Sequence, residues 1–353
     1  MEALKKGYGT MKENPFTISF GKKPRCYISR TVETNEVITN FESTFPPTQV
    51  YMITGVRGSG KTVMMTELSD YFEQNGWISL DISPDEDIVA SIIANLYNEK
   101  GIKSLFTKAE IAVSALGISA SVYREQPAAA NDVVLKQMLE ILKKNNKKLL
   151  ITIDEVTNNK NIKRFSSLFQ SFIRKDYPIF LIMTGLYDNI YKLQNNKDLT
   201  FLYRAPKIAM KPLDEILISE TYRKIFAISD SESVEMSKYT KGYSYAFQML
   251  GYLRWNNQDK KLSEILPEYD YILKEYSYNK IWSELSAKDK EIMREISQYD
   301  VASVKEIRDS LNISSSLFSS YRERLFNSGL IDISEYGKVA SVLPRFREFV
   351  EGK

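Results

Sequence analysis

Eight consecutive residues constrain this chain more than any others. Gly55-Val56-Arg57-Gly58-Ser59-Gly60-Lys61-Thr62 fit G-x-x-x-x-G-K-[ST] without a gap. Glycines allow backbone N–H groups to close around phosphate oxygens. A lysine at position seven reaches the β- and γ-phosphates, and the hydroxyl after it binds Mg²⁺. The motif works only between a buried strand and a helix whose N-terminal amides face the anion. Both are predicted here. Val50–Ile53 is an apolar, partly β-branched run, and Met64, Leu68, Tyr71 and Phe72 recur at helical spacing until Asn75-Gly76.

Composition narrows the chemistry. Histidine is absent, so Ser-His and Cys-His nucleophile pairs and imidazole metal sites are excluded. Phosphoryl transfer asks little of histidine, because it rests on positioning and charge. Net charge is +3, from 48 basic and 45 acidic residues, so whole-chain charge does not announce a nucleic-acid binder. No apolar run approaches ~18 residues, so no membrane partner is expected. Cys26 is alone and cannot form an internal disulfide, which fits a cytoplasmic location.

Past the loop, the pattern alternates strand and helix. Trp77–Leu80 is a second strand, and Val89, Ile92, Ile93 and Leu96 mark a helix. The alternation is interrupted at about 105–124. Ile111 and Val113 share one parity, Ile118 and Val122 the other, and the flip across Leu116-Gly117 predicts a hairpin insertion. Asn131 or Asp132 is placed to cap a helix carrying Leu135, Met138, Leu139 and Leu142. Leu149–Ile153 then reads as a buried parallel strand ending in Asp154-Glu155, about ninety residues after the lysine. At that place Asp154 would hold Mg²⁺ through water, and Glu155 would orient or deprotonate the attacking water. Phe165, Leu168, Phe169 and Phe172 form a core-facing helix stripe, and Pro178–Gly185 is a fourth buried strand. A fifth strand is predicted around Ile208–Met210.

These features together resemble origin-recognition-like AAA+ and STAND-type ATPases, including the archaeal ATPase group. Tyr27-Ile28-Ser29-Arg30-Thr31-Val32-Glu33 resembles the family's h-h-G-R-x-x-E segment, with Ser29 where glycine is usual. In that family the segment lines the adenine pocket, which would assign Arg30 to nucleotide binding. Thr184 matches the polar sensor residue that reads the γ-phosphate. Arg204 fits the position of an arginine that acts as a finger on a neighbour's nucleotide, and a solvated or salt-bridged arginine fits it equally. No sensor arginine opens the helix after Gly242-Tyr243-Ser244-Tyr245. That stretch looks more like the STAND version of the lid.

The resemblance implies an α/β fold, with an AAA+-like P-loop NTPase parallel sheet, a helical lid and a C-terminal winged-helix domain. The expected division is an N-terminal arm, poorly ordered at its start (1–26), an α/β nucleotide domain (27–212), a lid (213–279) and a winged helix (280–353). In the last, Ser286 with Asp289 and Ser303 with Glu306 read as capping boxes. A third helix is predicted to bury Leu317, Tyr321 and Leu325 and to expose Ser315, Ser316, Ser319 and Arg322, with Lys338 on the wing. Residues 301–353 carry eight basic and seven acidic side chains. A nearly neutral module is a poor general binder of nucleic acid, so duplex DNA and an interdomain scaffolding role both stay open. The expected ligands are ATP or ADP with Mg²⁺. The reading leaves room for a homo-oligomer or a protein partner, and Arg204 would need a neighbouring subunit to act as a finger.

Overall fold

The computed structural model describes residues 13–19, 21, 23–108, 128–197 and 199–353. They gather into two compact units: residues 31–54 with 64–208, and residues up to 30 with 55–63 and 209–353.

The first unit is an α/β sandwich. Its elements run α1 (Thr31–Glu42), β1 (Val50–Thr54), α2 (Lys61–Gln74, whose first three residues belong to the second unit), β2 (Ile78–Asp81), α3 (Ile88–Asn98), α4 (Lys103–Lys108), α5 (Ala128–Lys144), β3 (Leu149–Ile153), α6 (Lys160–Ile173), β4 (Ile179–Gly185), α7 (Tyr187–Gln194), α8 (Thr200–Tyr203) and β5 (Lys207–Ala209). The strands form a five-stranded parallel sheet in the order β2-β3-β4-β1-β5. Every residue of β1, β3 and β4 is buried. That is why these strands read as continuous apolar runs rather than alternating ones. Leu149, Ile151, Ile153, Leu181 and Met183 cluster with Ile92, Leu139 and Phe169 on one face of the sheet. On the other, Phe180 and Tyr51 meet Phe41 of α1 at ring-centroid distances of 4.8 and 5.6 Å.

One local expectation fails here. α5 begins at Ala128, so Asn131 and Asp132 lie inside the helix rather than capping it. The alanines at 128–130 are strong helix formers and carry the helix past the caps. Asp132 instead pairs with Arg164 of α6 at 2.7 Å. Residues 103–108 form α4, held by fully buried Phe106. The proposed hairpin over 109–123 lies outside the described residues.

The second unit is mostly helical: α9 (Glu215–Phe226), α10 (Asp230–Lys238), α11 (Ser244–Asn256), α12 (Leu262–Leu273), a π-helical turn (Lys274–Tyr278), α13 (Asn279–Glu284), α14 (Ala287–Ile296), β6 (Ala302–Ser303), α15 (Val304–Ser310), α16 (Ser315–Asn327), β7 (Ile331–Asp332), β8 (Lys338–Ser341) and α17 (Phe346–Glu351). Both capping boxes form, at the starts of α14 and α15. Buried Asp289, the N3 residue of the first, also accepts from Arg324, which ties α16 to α14. In α16 the inward residues are Phe318 and Leu325, each 1% exposed, while Leu317 is 43% exposed. The Ser314 cap fixes the helix phase, so positions 318 and 325, seven residues apart, point inward. The two expected strands are joined by a third, giving an antiparallel sheet in the order β6-β8-β7.

The expected poorly ordered start is corrected from residue 13 onward. Phe16, 3% exposed, inserts among Tyr222, Phe226 and Phe247, with ring centroids 5.6–5.9 Å away. It takes the space that the missing side chain of Gly251 leaves on α11. Cys26 is fully buried, and desolvation pushes its thiol up to about 12. A short polar segment is ordered here because one aromatic ring buries well. Among the described residues, no helix is long and apolar enough to cross a membrane. Phe16→Ala should therefore destabilise the second unit by about 3–5 kcal/mol, the usual cost of emptying a buried aromatic site. A urea or thermal unfolding curve checks this, and an unchanged midpoint would return the segment to a loose arm.

Candidate functional site

Two groups of sequence-predicted residues form local sites, one in each unit.

In the second unit, the loop Gly55–Thr62 leads into α2. Gly58 (φ 74°) and Gly60 (φ 92°) adopt left-handed backbone, which explains glycine at both positions. A Cβ on Gly58 would also run into the Tyr243 hydroxyl and Tyr245. Carbonyls 55 to 59 are all engaged. Lys61 Nζ donates to Gly55 O and Val56 O, each at 3.0 Å. The Tyr243 hydroxyl donates to Arg57 O at 2.5 Å, and Tyr245 N–H to Gly58 O at 3.0 Å. Ser59 O accepts from the Ser244 hydroxyl (2.9 Å) and from Arg30 Nη2 (3.3 Å).

Among the described residues no peptide bond is cis. In a trans peptide the N–H points opposite to the C=O, so outward-tied carbonyls turn the N–H groups of Gly58 and Gly60 the other way. The hydroxyl of Ser59 is buried and has no hydrogen-bond partner among the described residues. A buried orphan hydroxyl is costly unless a ligand uses it. Glycines, reversed amides, an ammonium and this hydroxyl together suit a polyanion such as a phosphate chain.

Neighbouring elements hold the loop. The N-terminal amide of Tyr245, unpartnered within α11, finds its acceptor in Gly58 O. Arg57 reaches Glu284 at the end of α13, with Nη2 3.1 Å from the carboxylate. Val56 is buried in the core that includes Leu330 of the C-terminal module. Sequence reading placed Arg30 in the nucleotide site, and the structure puts it on the loop. It missed Tyr243, Ser244 and Tyr245 as loop contacts, because two aromatics after a glycine read as helix core.

In the first unit, Asp154, Glu155 and Thr184 come together at the ends of β3 and β4. Asp154 is half-buried and accepts from the Thr184 hydroxyl and from Glu155 N–H (3.0 Å). Glu155 N–H also approaches Thr184 Oγ1 at 3.2 Å. Glu155 sits in left-handed backbone (φ 51°), which a glutamate seldom adopts. This turn leaves its side chain exposed while its amide serves Asp154. Thr152 donates to Asp81 at the end of β2 at 3.2 Å. Desolvation raises the Asp81 carboxyl, with the Asp154 charge adding and the Thr152 bond opposing. Sequence reading did not single out Asp81. Its signal was available, as an acidic residue ending the strand beside β3.

Arg204 stands apart from that cluster. It is exposed after α8 and lines a cleft of about 560 Å³ with Gln170, Asn195, Asn196, Lys197 and Phe201. Among the described residues no ion pair engages it.

Residues 275–350 match a family described as "Domain of unknown function (DUF8462)". No curated protein matches the sequence. Among solved structures, a Walker-type ATPase of Pyrococcus abyssi is similar at 16% identity, over 92% of this chain and 96% of that one, with a TM-score of 0.60. The ORC2 protein of Aeropyrum pernix, in ADPNP–ADP complexes, is similar at 12% identity, over 91% of each chain, with a TM-score of 0.50. At these identities the likeness is one of fold. The chain has the fold of the P-loop ATPases of the AAA+ kind.

Proposed function

We propose that the chain is an ATP-binding, ATP-hydrolysing molecular switch. The observation that carries this reading is the loop 55–62, whose carbonyls 55–59 are all tied while Ser59 offers an unpartnered hydroxyl. Such a loop presents amides and an ammonium to phosphates. Gly55, Val56, Arg57, Gly58, Ser59 and Gly60 supply the cradle, Lys61 the cation, and Arg30 braces the loop through Ser59 O. Mg²⁺, when bound, neutralises phosphate charge, and Thr62 with Asp154 would hold it. A hydroxyl and one carboxylate suit an ion that keeps most of its waters. Thr184 holds Asp154 in place, and Glu155 orients or deprotonates the attacking water. Hydrolysis then changes which of two arrangements of lid and C-terminal module the protein favours.

The C-terminal module is read as a winged helix. Four of the eight basic side chains in 301–353 favour a scaffolding role over contact with duplex DNA. Arg324 is committed to Asp289, Lys338 to Glu335, Arg345 to Asp270 and Arg347 to Glu351. A cation already neutralised contributes little to phosphate binding. Nucleotide-gated DNA binding is the second reading, supported by exposed Ser315, Ser316 and Ser319 on α16. Turnover unchanged by added duplex DNA supports the scaffold, and a stimulated rate supports the second reading.

Lys61→Ala should abolish nucleotide binding or weaken it severely while leaving the fold intact; wild-type affinity in this variant would remove Lys61 from its role. Glu155→Gln should bind ATP normally and lose turnover, and an unchanged rate would move catalysis elsewhere. Arg204 is proposed to serve a neighbouring copy's nucleotide. Its mark is specific activity that rises with protein concentration and falls, by up to ~10³–10⁵, in Arg204→Ala. Concentration-independent activity that the substitution leaves untouched would remove that role.

A further inference from the structure

One hydroxyl relay links the loop to a rare element of the helical unit. The π-helical turn Lys274–Tyr278 separates α12 from α13, with Asn279 N–H donating to Lys274 O. Helices of this type are uncommon and concentrate at functional positions. Ser277 lies in the turn, and its Oγ is 2.7 Å from the Tyr243 hydroxyl. That hydroxyl is 2.5 Å from Arg57 O.

The direction of the relay follows from proton counting. A carbonyl can only accept, so the one phenolic hydrogen of Tyr243 goes to Arg57 O. The phenolic oxygen must then accept from Ser277. Tyr243 and Ser277 are 2% and 3% exposed. Burial, opposed by the Ser277 bond, pushes the phenol well above its ordinary range, so it stays a neutral donor. In a dry site each bond in such a chain polarises the next. The side chain of Arg57 is held by Glu284, a few residues past the π-turn. The hydroxyl of Tyr278, also in the turn, donates to Pro344 O at 2.6 Å, which anchors the turn to the segment before α17.

We propose that Tyr243, oriented by Ser277, is a positioning residue for nucleotide binding. It fixes the peptide between Arg57 and Gly58 so that the Gly58 amide faces the phosphate side. The π-turn is what brings Ser277 into line, since its wider winding shifts the following residues out of α-helical phase. Through it the module spanning 275–350 acts on the loop's geometry. This inference rests on the nucleotide-binding reading above. It adds a residue that never touches the nucleotide and acts only through the loop backbone.

The test is a double-substitution cycle. Tyr243→Phe keeps the buried ring and removes only the hydroxyl, and Ser277→Ala removes its orienting partner. The full chain, each single variant, the double variant and Lys61→Ala are titrated with a fluorescent N-methylanthraniloyl ADP, and thermal midpoints are measured alongside. Tyr243→Phe should weaken binding roughly tenfold, the scale of one buried hydrogen bond. Ser277→Ala should weaken it less. The double variant should bind no worse than Tyr243→Phe alone, because the serine acts only through the tyrosine. Wild-type affinity in Tyr243→Phe, or independent additive losses, overturns the inference while leaving the nucleotide-binding reading in place. Lowered midpoints with unchanged affinities overturn it too, by making the relay purely structural. If Tyr243→Phe does not fold, Ser277→Ala alone decides: unaltered affinity sinks the proposal. Absence of binding in the unmodified chain overturns both readings together.

Discussion

The conformation of residues 55–59 is the constraint on which the candidate site depends. Five successive carbonyls are each engaged by a donor: the Lys61 ammonium, the Tyr243 hydroxyl, the Tyr245 amide, the Ser244 hydroxyl and the Arg30 guanidinium. A planar trans peptide cannot turn its carbonyl one way without turning its amide the other. At carbonyls 57 to 59 the polarity of the loop is thus imposed from outside it, and at 55 and 56 by its own lysine. An untied run containing glycines at 55, 58 and 60 would sample many such states, at a cost in ordering entropy of roughly 1–2 kcal/mol per residue. Tethers that order the loop in advance remove part of that cost from the binding step.

The helical unit therefore does more than cover the loop. Its α11 N-terminus, the Tyr243–Ser277 relay and the Arg57–Glu284 pair each address a different part of the same short stretch. The ion pair is about one-third exposed on both sides, so it contributes little to stability. The buried hydroxyl relay is the stronger restraint, because losing one partner leaves a desolvated polar group unpaired. Asp154 shows the same economy in the other unit. One carboxylate is oriented by both a threonine hydroxyl and the amide of its neighbour, which is possible because Glu155 accepts a left-handed backbone.

Much of this was legible in the residues. The glycine loop, the strand ending in Asp154-Glu155, Thr184 at the end of β4 and both capping boxes depend on local spacing, and local spacing is what a sequence displays. The misses have physical causes. Asn131 and Asp132 are good caps, but three alanines before them extend the helix, and propensity won over capping. Leu317 gave way to Phe318 because the phase of α16 was set by the Ser314 cap, not by the apolar residues alone. Phe16 lay in a polar stretch with no periodicity, so nothing local announced that the core of the helical unit would claim it.

The sequence by itself determined which groups could meet a phosphate, because the motif's chemistry resides in residue types at fixed short intervals. It also determined the parallel sheet, since strands buried on both faces must be apolar throughout. Only the tertiary structure decided what holds the loop in shape. Tyr243 and Ser277 are 186 and 220 residues beyond Arg57 and Ser277's role depends on a π-turn that no hydrophobic period encodes. A contact of that span is fixed by the packing of a whole unit around it. The direction of a buried hydroxyl follows only once its neighbours are in place.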